Sequence, residues 1–273
     1  MHIQILGPLG ATIRGKSIVP SAGKPRQILA LLALRPGRVI PVSTLMEEIW
    51  GTEPPASALT TLQTYILQLR RHLETAMSPD SSDTAKDVLV TRHGGYLLQV
   101  EPACTDVREY ERLVATAQSA FDQNRDEPAS ATFREALALW QGPALVDVRV
   151  GPILEIEVMR LEESRLLVTE RRIDADLRLG RHAQLIAELY DLISRHPQHE
   201  GLHSQAMVAL YRSGRQAGAL HVYRQLRKRL IEELGVEPSP QLQRLHQAIL
   251  TVDPRLDVFT SSRPGSTFDF YAA

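Results

Sequence analysis

The chain has 273 residues, 43% hydrophobic and 23% charged, with a formal net charge of −1. This length fits one large domain or two small ones, and the mixture excludes wholesale disorder and collagen-like or low-complexity character. No run approaches ~18 consecutive apolar residues and no basic-then-apolar leader opens the chain, so neither a transmembrane helix nor a secretory signal is expected. The one cysteine, Cys104, excludes an internal disulfide and points to a reducing, cytoplasmic setting.

His2–Leu6 alternates around Ile3 and Ile5, and Ala11–Arg14 and Ser17–Val19 are further short strands about Gly15. Ile28, Leu31, Leu32 and Leu34 then mark a helix, ended by Pro36-Gly37. Val39-Ile40 reads as a short strand. Thr44 and Glu47 have capping-box spacing before a helix ending near Trp50-Gly51. After Pro54-Pro55 a longer helix runs from about Ser57 to Ala76, and residues 78–87 read as a loop. Val88–Thr91 and Tyr96–Val100 flank Gly94-Gly95 as a hairpin. A helix pair followed by a two-stranded ribbon outlines a winged helix-turn-helix.

From Asp106 the pattern is helical. Helices are expected from Asp106, over Glu127–Trp140 and Leu154–Leu179, and then over 182–195, 200–212, 216–234 and 239–250. Leu179-Gly180-Arg181-His182-Ala183 repeats as Ser213-Gly214-Arg215-Gln216-Ala217, 34 residues on, which is the tetratricopeptide period. At the same offset Ile186 meets Leu220, Leu189 meets Tyr223 and Leu192 meets Leu226. Ala183 and Ala217 are expected to let paired helices approach, so bulk there should overpack. The domains expected are 1–100, winged helix-turn-helix; 101–251, all-α; and 252–273, a flexible tail. Residues 1–100 carry +3 and the remainder −4, so an anion such as nucleic acid is expected to meet the first part only.

The helix near residue 60 carries the most chemistry. Leu59, Leu62, Ile66, Leu69 and Leu73 form its apolar stripe. At about 100° per residue the opposite face holds Thr60, Thr64, Leu67, Gln68 and Arg71, flanked by Thr61 and His72. No acid precedes Glu74. A solvated helix mixes Glu with Lys, whereas a helix meant for the major groove avoids carboxylates and offers Gln, Thr and Arg to base edges and phosphates. Arg92 and His93 precede the ribbon turn, where an inserted Arg could meet the minor groove; an ordinary basic hairpin tip is the alternative. Lys24 and Arg26 open the first long helix, either as phosphate contacts or as a solvated N-terminus.

Nucleotide-loop, dinucleotide, zincin and serine-hydrolase motifs are all missing. His196 and His199 have ligand-like spacing without a companion cluster, and Glu155, Glu157, Glu162 and Glu163 read as a solvated helix face. No enzyme, metal or cofactor is expected, and Cys104 reads as a buried or interdomain thiol.

The chain resembles the Streptomyces antibiotic regulatory protein (SARP) family of actinobacterial activators. The strings that carry this are GKPRQILALLAL at 23–34, PVSTLMEEIWG at 41–51, PPASALTTLQTYILQLRRHL at 54–73 and TRHGGYLLQV at 91–100. ALALWQGPAL at 136–145 and the long run MVALYRSGRQ…EELGVEPSPQL within 207–250 complete the match. The resemblance implies a mainly α chain with a small α+β part. A winged helix-turn-helix of the response-regulator output type would precede a tetratricopeptide-like bacterial transcriptional activation domain. It implies a recognition helix at 57–75 and a wing at 88–100. Tyr65 and Arg70 fall where winged relatives contact DNA, although the wheel sets Arg70 near the core edge. Two protomers on direct repeats near biosynthetic promoters, recruiting RNA polymerase holoenzyme with its sigma factor, are implied as partners. The absence of an ATPase extension and a receiver domain argues against receiver phosphorylation as the control. A helical adaptor, or a repressor using the same fold, is the competing expectation.

Overall fold

The computed structural model describes residues 1–77, 84–101 and 104–256. Two compact units emerge: Met1–Val114 with Glu135–Leu166, and Ala115–Arg134 with Leu167–Ala273. These units cross the expected division at residue 100. Most of the expected tail, and residues 78–83 of the expected loop, lie outside the described residues.

The first unit begins with an antiparallel sheet of β1 (His2–Gln4), β2 (Gly10–Ile13) and β3 (Lys16–Ser17). Alternation puts Ile3, Ala11 and Ile18 inside, as the period-2 pattern requires. In α1 (Gly23–Leu34) residues Ile28 to Ala33 are all buried, so this is a core helix, apolar all round. The strand β4 (Ile40–Pro41) runs directly into α2 (Val42–Trp50). Pro41 takes the cap position, so Thr44 lies inside the helix and the box expected with Glu47 does not form.

The next helix, α3 (Ala58–Ala76), buries Ala58, Leu62, Ile66, Leu69, Leu73 and Ala76. Leu59, expected in that stripe, is 49% exposed. Ala58 takes the first inward position, and the next residue is turned about 100° away from it. A short α4 (Ala85–Val88) replaces the last part of the expected loop; Thr84 and Asp87 form a reciprocal capping box that starts it. It leads into β5 (Leu89–Arg92) and β6 (Gly95–Leu98), which form a second sheet in the order β4-β6-β5.

The hairpin turn is His93-Gly94, one residue earlier than expected, because Arg92 pairs with Gly95. Gly95 lies within the strand. A Cβ there would overlap the Ile40 carbonyl oxygen, so glycine permits the β4 pairing.

Three acids close this unit across long sequence separations. Asp106, at the start of α5 (Asp106–Asp122), accepts Ile5 N at 2.8 Å and Leu6 N at 2.9 Å. Asp147 accepts Leu9 N at 2.7 Å. Glu48 of α2 is 2% exposed. It accepts Gly151 N at 2.6 Å, and Ile153 N and Leu154 N at 2.9 Å each. A carboxylate thus caps α7 (Pro152–Arg178), satisfying orphan donors at the positive end of the helix dipole. Gln27 Nε2 donates to the same carboxylate at 2.7 Å. A Cβ at Gly151 would overlap the Glu48 carbonyl oxygen, so the approach requires glycine. Glu157 and Glu162 are not merely solvated: Glu157 pairs with Arg35 at 2.7 Å and Glu162 accepts Ala144 N at 2.7 Å.

The second unit holds the repeats as α8 (His182–Arg195) with α9 (Glu200–Arg212) and α10 (Gln216–Leu234) with α11 (Pro240–Leu250). Gly180 and Gly214 occupy matching turns with φ of 76° and 74°. Leu185, Leu189, Met207, Leu210, Val222, Leu226, Leu245 and Ile249 share one core. Ala183 and Ala217 are exposed, contrary to the expectation of close approach there. The small residues packed inside are Ala206 and Ala209 of α9, Ala219 of α10 and Ala248 of α11.

Asp176, fully buried, gathers this unit's charges. It accepts Ser130 Oγ and Arg134 Nη2 at 2.7 Å, Arg181 Nη1 at 3.1 Å and Arg172 Nη1 at 3.2 Å. Burial pushes its carboxyl up, but these donors together hold it below the ordinary value. Nearby, Asp174 accepts Gln205 Nε2 at 2.8 Å, and burial pushes it up to about 6. His199 caps α9, its Nδ1 accepting Leu202 N at 3.3 Å, and lies 3.4 Å from Glu170. Cys104 is a half-buried free thiol.

Candidate nucleic-acid interface

The outer face of α3 carries Leu59, Thr60, Gln63, Thr64, Leu67, Gln68, Arg71, His72, Glu74 and Thr75, all exposed. Amphipathic folding dictates this: with Leu62, Ile66, Leu69 and Leu73 turned inward, the polar set must face out. Gln63 and Thr75 belong to this surface, although the sequence pattern does not single them out. Removing Leu59 from the stripe recentres the wheel and brings them into it.

The hydroxyls on this helix are already directed. Thr61 Oγ1 donates to Ser57 O at 2.9 Å, and Thr64 Oγ1 to Thr60 O at 3.0 Å. Each proton serves an i−4 carbonyl, so these side chains offer a methyl and an acceptor lone pair outward. They suit a base amino group or a thymine methyl rather than a phosphate oxygen. Gln63 and Gln68 retain both donor and acceptor, the chemistry that pairs with adenine. Arg71 makes no side-chain hydrogen bond or ion pair among the described residues, and the same holds for Arg92 and His93 at the hairpin tip.

The other candidate cations serve the fold. Arg70 lies half-buried and donates from Nη2 to Leu89 O at 2.7 Å and Thr91 Oγ1 at 2.8 Å, with Nε to Leu89 O at 3.1 Å. It clamps α3 to β5. Its wheel position at the core edge places it within reach of that strand. Arg26 donates to Pro20 O at 3.0 Å and pairs with Asp147 at 3.0 Å, so it too has partners within the unit. Lys24 sits 5.1 Å from the centre of the Trp50 ring, and Trp50 stacks on Tyr65 with centroids 6.5 Å apart. Lys24 is exposed, while Tyr65 is half-buried and braces α3 against the end of α2. The structure thus brings together Thr60, Thr61, Thr64, Gln68 and Arg71 on one helix, and it ties that helix to the hairpin carrying Arg92 and His93 through Arg70.

Residues 105–250 match the family described as the bacterial transcriptional activator domain, and residues 16–98 match that described as transcriptional regulatory protein, C terminal. The chain is 56% identical over 257 residues to the regulatory protein DnrI of Streptomyces peucetius, covering 94% of each. It is 40% identical over 258 residues to the regulatory protein AfsR of Streptomyces griseus, spanning 94% of this chain but 25% of that longer protein. A solved structure of Mycobacterium tuberculosis EmbR, in complex with a low-affinity phosphopeptide, superposes with a TM-score of 0.84 at 32% identity. That match covers 93% of this chain and 65% of the EmbR chain. These families are regulators of transcription, not a class of enzyme. No helix among the described residues is long and apolar enough to cross a membrane. Fold and sequence together make the chain a member of the Streptomyces antibiotic regulatory protein family, a winged helix-turn-helix transcriptional activator that binds DNA.

Proposed function

We propose that two protomers bind a direct repeat in the cytoplasm, upstream of a promoter in a secondary-metabolite gene cluster. There they recruit RNA polymerase holoenzyme with its sigma factor. The observation that carries the reading is the acid-poor outer face of α3, with Gln63, Thr64, Gln68 and Arg71 exposed side by side. Base edges in the major groove are read by these types, and Arg92 and His93 at the hairpin tip would meet the neighbouring backbone or minor groove. One such module covers a half-site and binds weakly alone, so two are needed.

On a direct repeat the protomers stand head to tail, and same-face placement sets the repeat spacing at about 10–11 bp or a multiple. The part beyond residue 100 carries −4, which leaves it unattractive to phosphate and available to polymerase. The experiment is footprinting of the full chain on its operator, before and after inserting half a helical turn between repeats. Cooperative occupancy should be lost. Unchanged cooperativity would overturn the head-to-tail arrangement, and protection without tandem sequence elements would overturn the direct repeat.

A further inference from the structure

The second unit carries a groove that DNA binding does not use. It has a volume of about 580 Å³ and is lined by His182, Ala183, Ile186, Ala187 and Tyr190 of α8 with Ser213 and Arg215 from the α9–α10 turn. This is the size of a ligand site, enough for a few residues of extended peptide.

Its chemistry is uneven in a way that suggests an occupant. Ala183 and Ala187 are small, leaving space beside Ile186 and the half-exposed ring of Tyr190. His182 Nδ1 and Ser213 Oγ are both buried without a hydrogen-bond partner. Buried polar atoms are nearly always satisfied, so two on one groove mark missing partners. The internal repeat supplies a control. Gln216, the counterpart of His182 in the next repeat, donates to Ile249 O at 2.7 Å and is satisfied within the fold. The first repeat alone leaves its position open. At the rim, the exposed Arg215 makes no ion pair among the described residues.

The described residues end at Leu256, in the same unit as this groove. Arg212 Nε donates to Leu256 O at 2.8 Å, which fixes Leu256 against the residue preceding Ser213. Leu256 itself is buried in the repeat core. Residues 257–273 are unusual in composition. The whole chain has five phenylalanines, and three of them, Phe259, Phe268 and Phe270, lie there with Tyr271. Phe268-Asp269-Phe270 sets an acid between two aromatics. From Leu256, an extended chain reaches Phe268 across as much as ~40 Å at ~3.4 Å per residue, ample for the groove.

We propose that this groove is a peptide-binding site and that its occupant is the chain's own segment 264–273. The segment's composition matches the groove: aromatic side chains for the apolar wall of Ala183, Ala187 and Ile186 beside Tyr190, an acid for Arg215, and backbone groups for His182 and Ser213. The proposal stands apart from the DNA reading, since none of these residues belongs to the α3 face.

The test places the photo-crosslinking residue p-benzoylphenylalanine at Ala187, and separately at Ala183, in the full chain. Irradiation is followed by denaturing electrophoresis and peptide mapping. The expected product has the mass of one chain and joins the probe to the peptide containing residues 268–270. Phe268→Ala with Phe270→Ala should lower the yield at least fivefold, Arg215→Glu severalfold, and excess synthetic 264–273 peptide should compete. Circular dichroism verifies that each variant is folded. A product of twice the mass would assign the groove to a second copy and overturn the proposal. So would crosslinks to any other segment, no crosslink at either position, or a yield indifferent to the phenylalanine substitutions.

Discussion

Glu48→Ala is expected to destabilise the first unit severely without touching the α3 surface. The carboxylate is 2% exposed and accepts four donors: Gly151 N at 2.6 Å, Gln27 Nε2 at 2.7 Å, and Ile153 N and Leu154 N at 2.9 Å. A hydrogen bond to a charged group contributes about 1.5–3 kcal/mol, and an orphaned buried donor costs about 1–3 kcal/mol. The four act through one group and do not add, so the expected loss follows buried charge networks, about 3–5 kcal/mol. For a unit of this size that lowers Tm by about 6–20 °C.

Thermal and urea unfolding should be followed by Trp50 and Trp140 fluorescence together with circular dichroism, because two units need not melt together. Glu155→Ala, an exposed acid one turn into the same helix, serves as the control and should be neutral. A Glu48→Ala protein within about 1 kcal/mol of the parent would refute the assignment of this carboxylate as the α7 cap. The same reasoning makes residues 1–100 an unsuitable fragment, since three of the four donors to Glu48 and the Asp147 acceptor of Leu9 N lie beyond the cut.

Arg71→Ala should weaken specific binding by about 1–3 kcal/mol, while Arg70→Ala should loosen the hairpin and lower stability as well as affinity; titrations at two salt concentrations beside melting curves separate them. Equal melting losses in both would contradict the distinction. Asp174 titrates at about 6 in the fold against 3.8 for the ordinary group, so the folded state binds more protons between these values and stability falls as pH rises through that window. Asp174→Asn keeps an acceptor for Gln205 and should therefore stabilise at pH 7.5, by up to about 3 kcal/mol, yet be neutral near pH 4; a pH-independent effect would contradict the burial account. His203 behaves oppositely: burial lowers its pKa, so its contribution is present above the ordinary value and lost as pH falls, and His203→Gln should flatten urea midpoints between pH 7 and 5.

Periodicity made the repeats legible because each helix there is amphipathic, and α8 and α9 fall on the expected 182–195 and 200–212. The winged outline was legible for the same reason. What periodicity misses is tertiary satisfaction. Nothing near Glu48 in sequence announces that its partners lie about a hundred residues away, and it is the neighbouring Glu47 that has the capping-box spacing, which Pro41 pre-empts. Ala183 and Ala217 have the right spacing for a helix crossing but face outward. On α3, the wheel placed Thr64, Gln68 and Arg71 on the exposed face but misassigned Leu59, since one residue of phase at the first turn decides which side a leucine occupies. Arg26 and Arg70 illustrate the remaining limit: an acid or carbonyl of the fold can recruit a basic residue in a DNA-binding module, and sequence shows the charge but not its partner.

The central claim is that the α3 face reads sequence in a pair of protomers. Its most direct test is selection of random duplex DNA by the full chain and by a Gln68→Ala, Arg71→Ala variant with parent-like melting. The parent should enrich tandem copies of one motif about 10–11 bp apart, and the variant should lose that motif while keeping weak, salt-sensitive binding. Enrichment of the same tandem motif by both proteins would contradict the account.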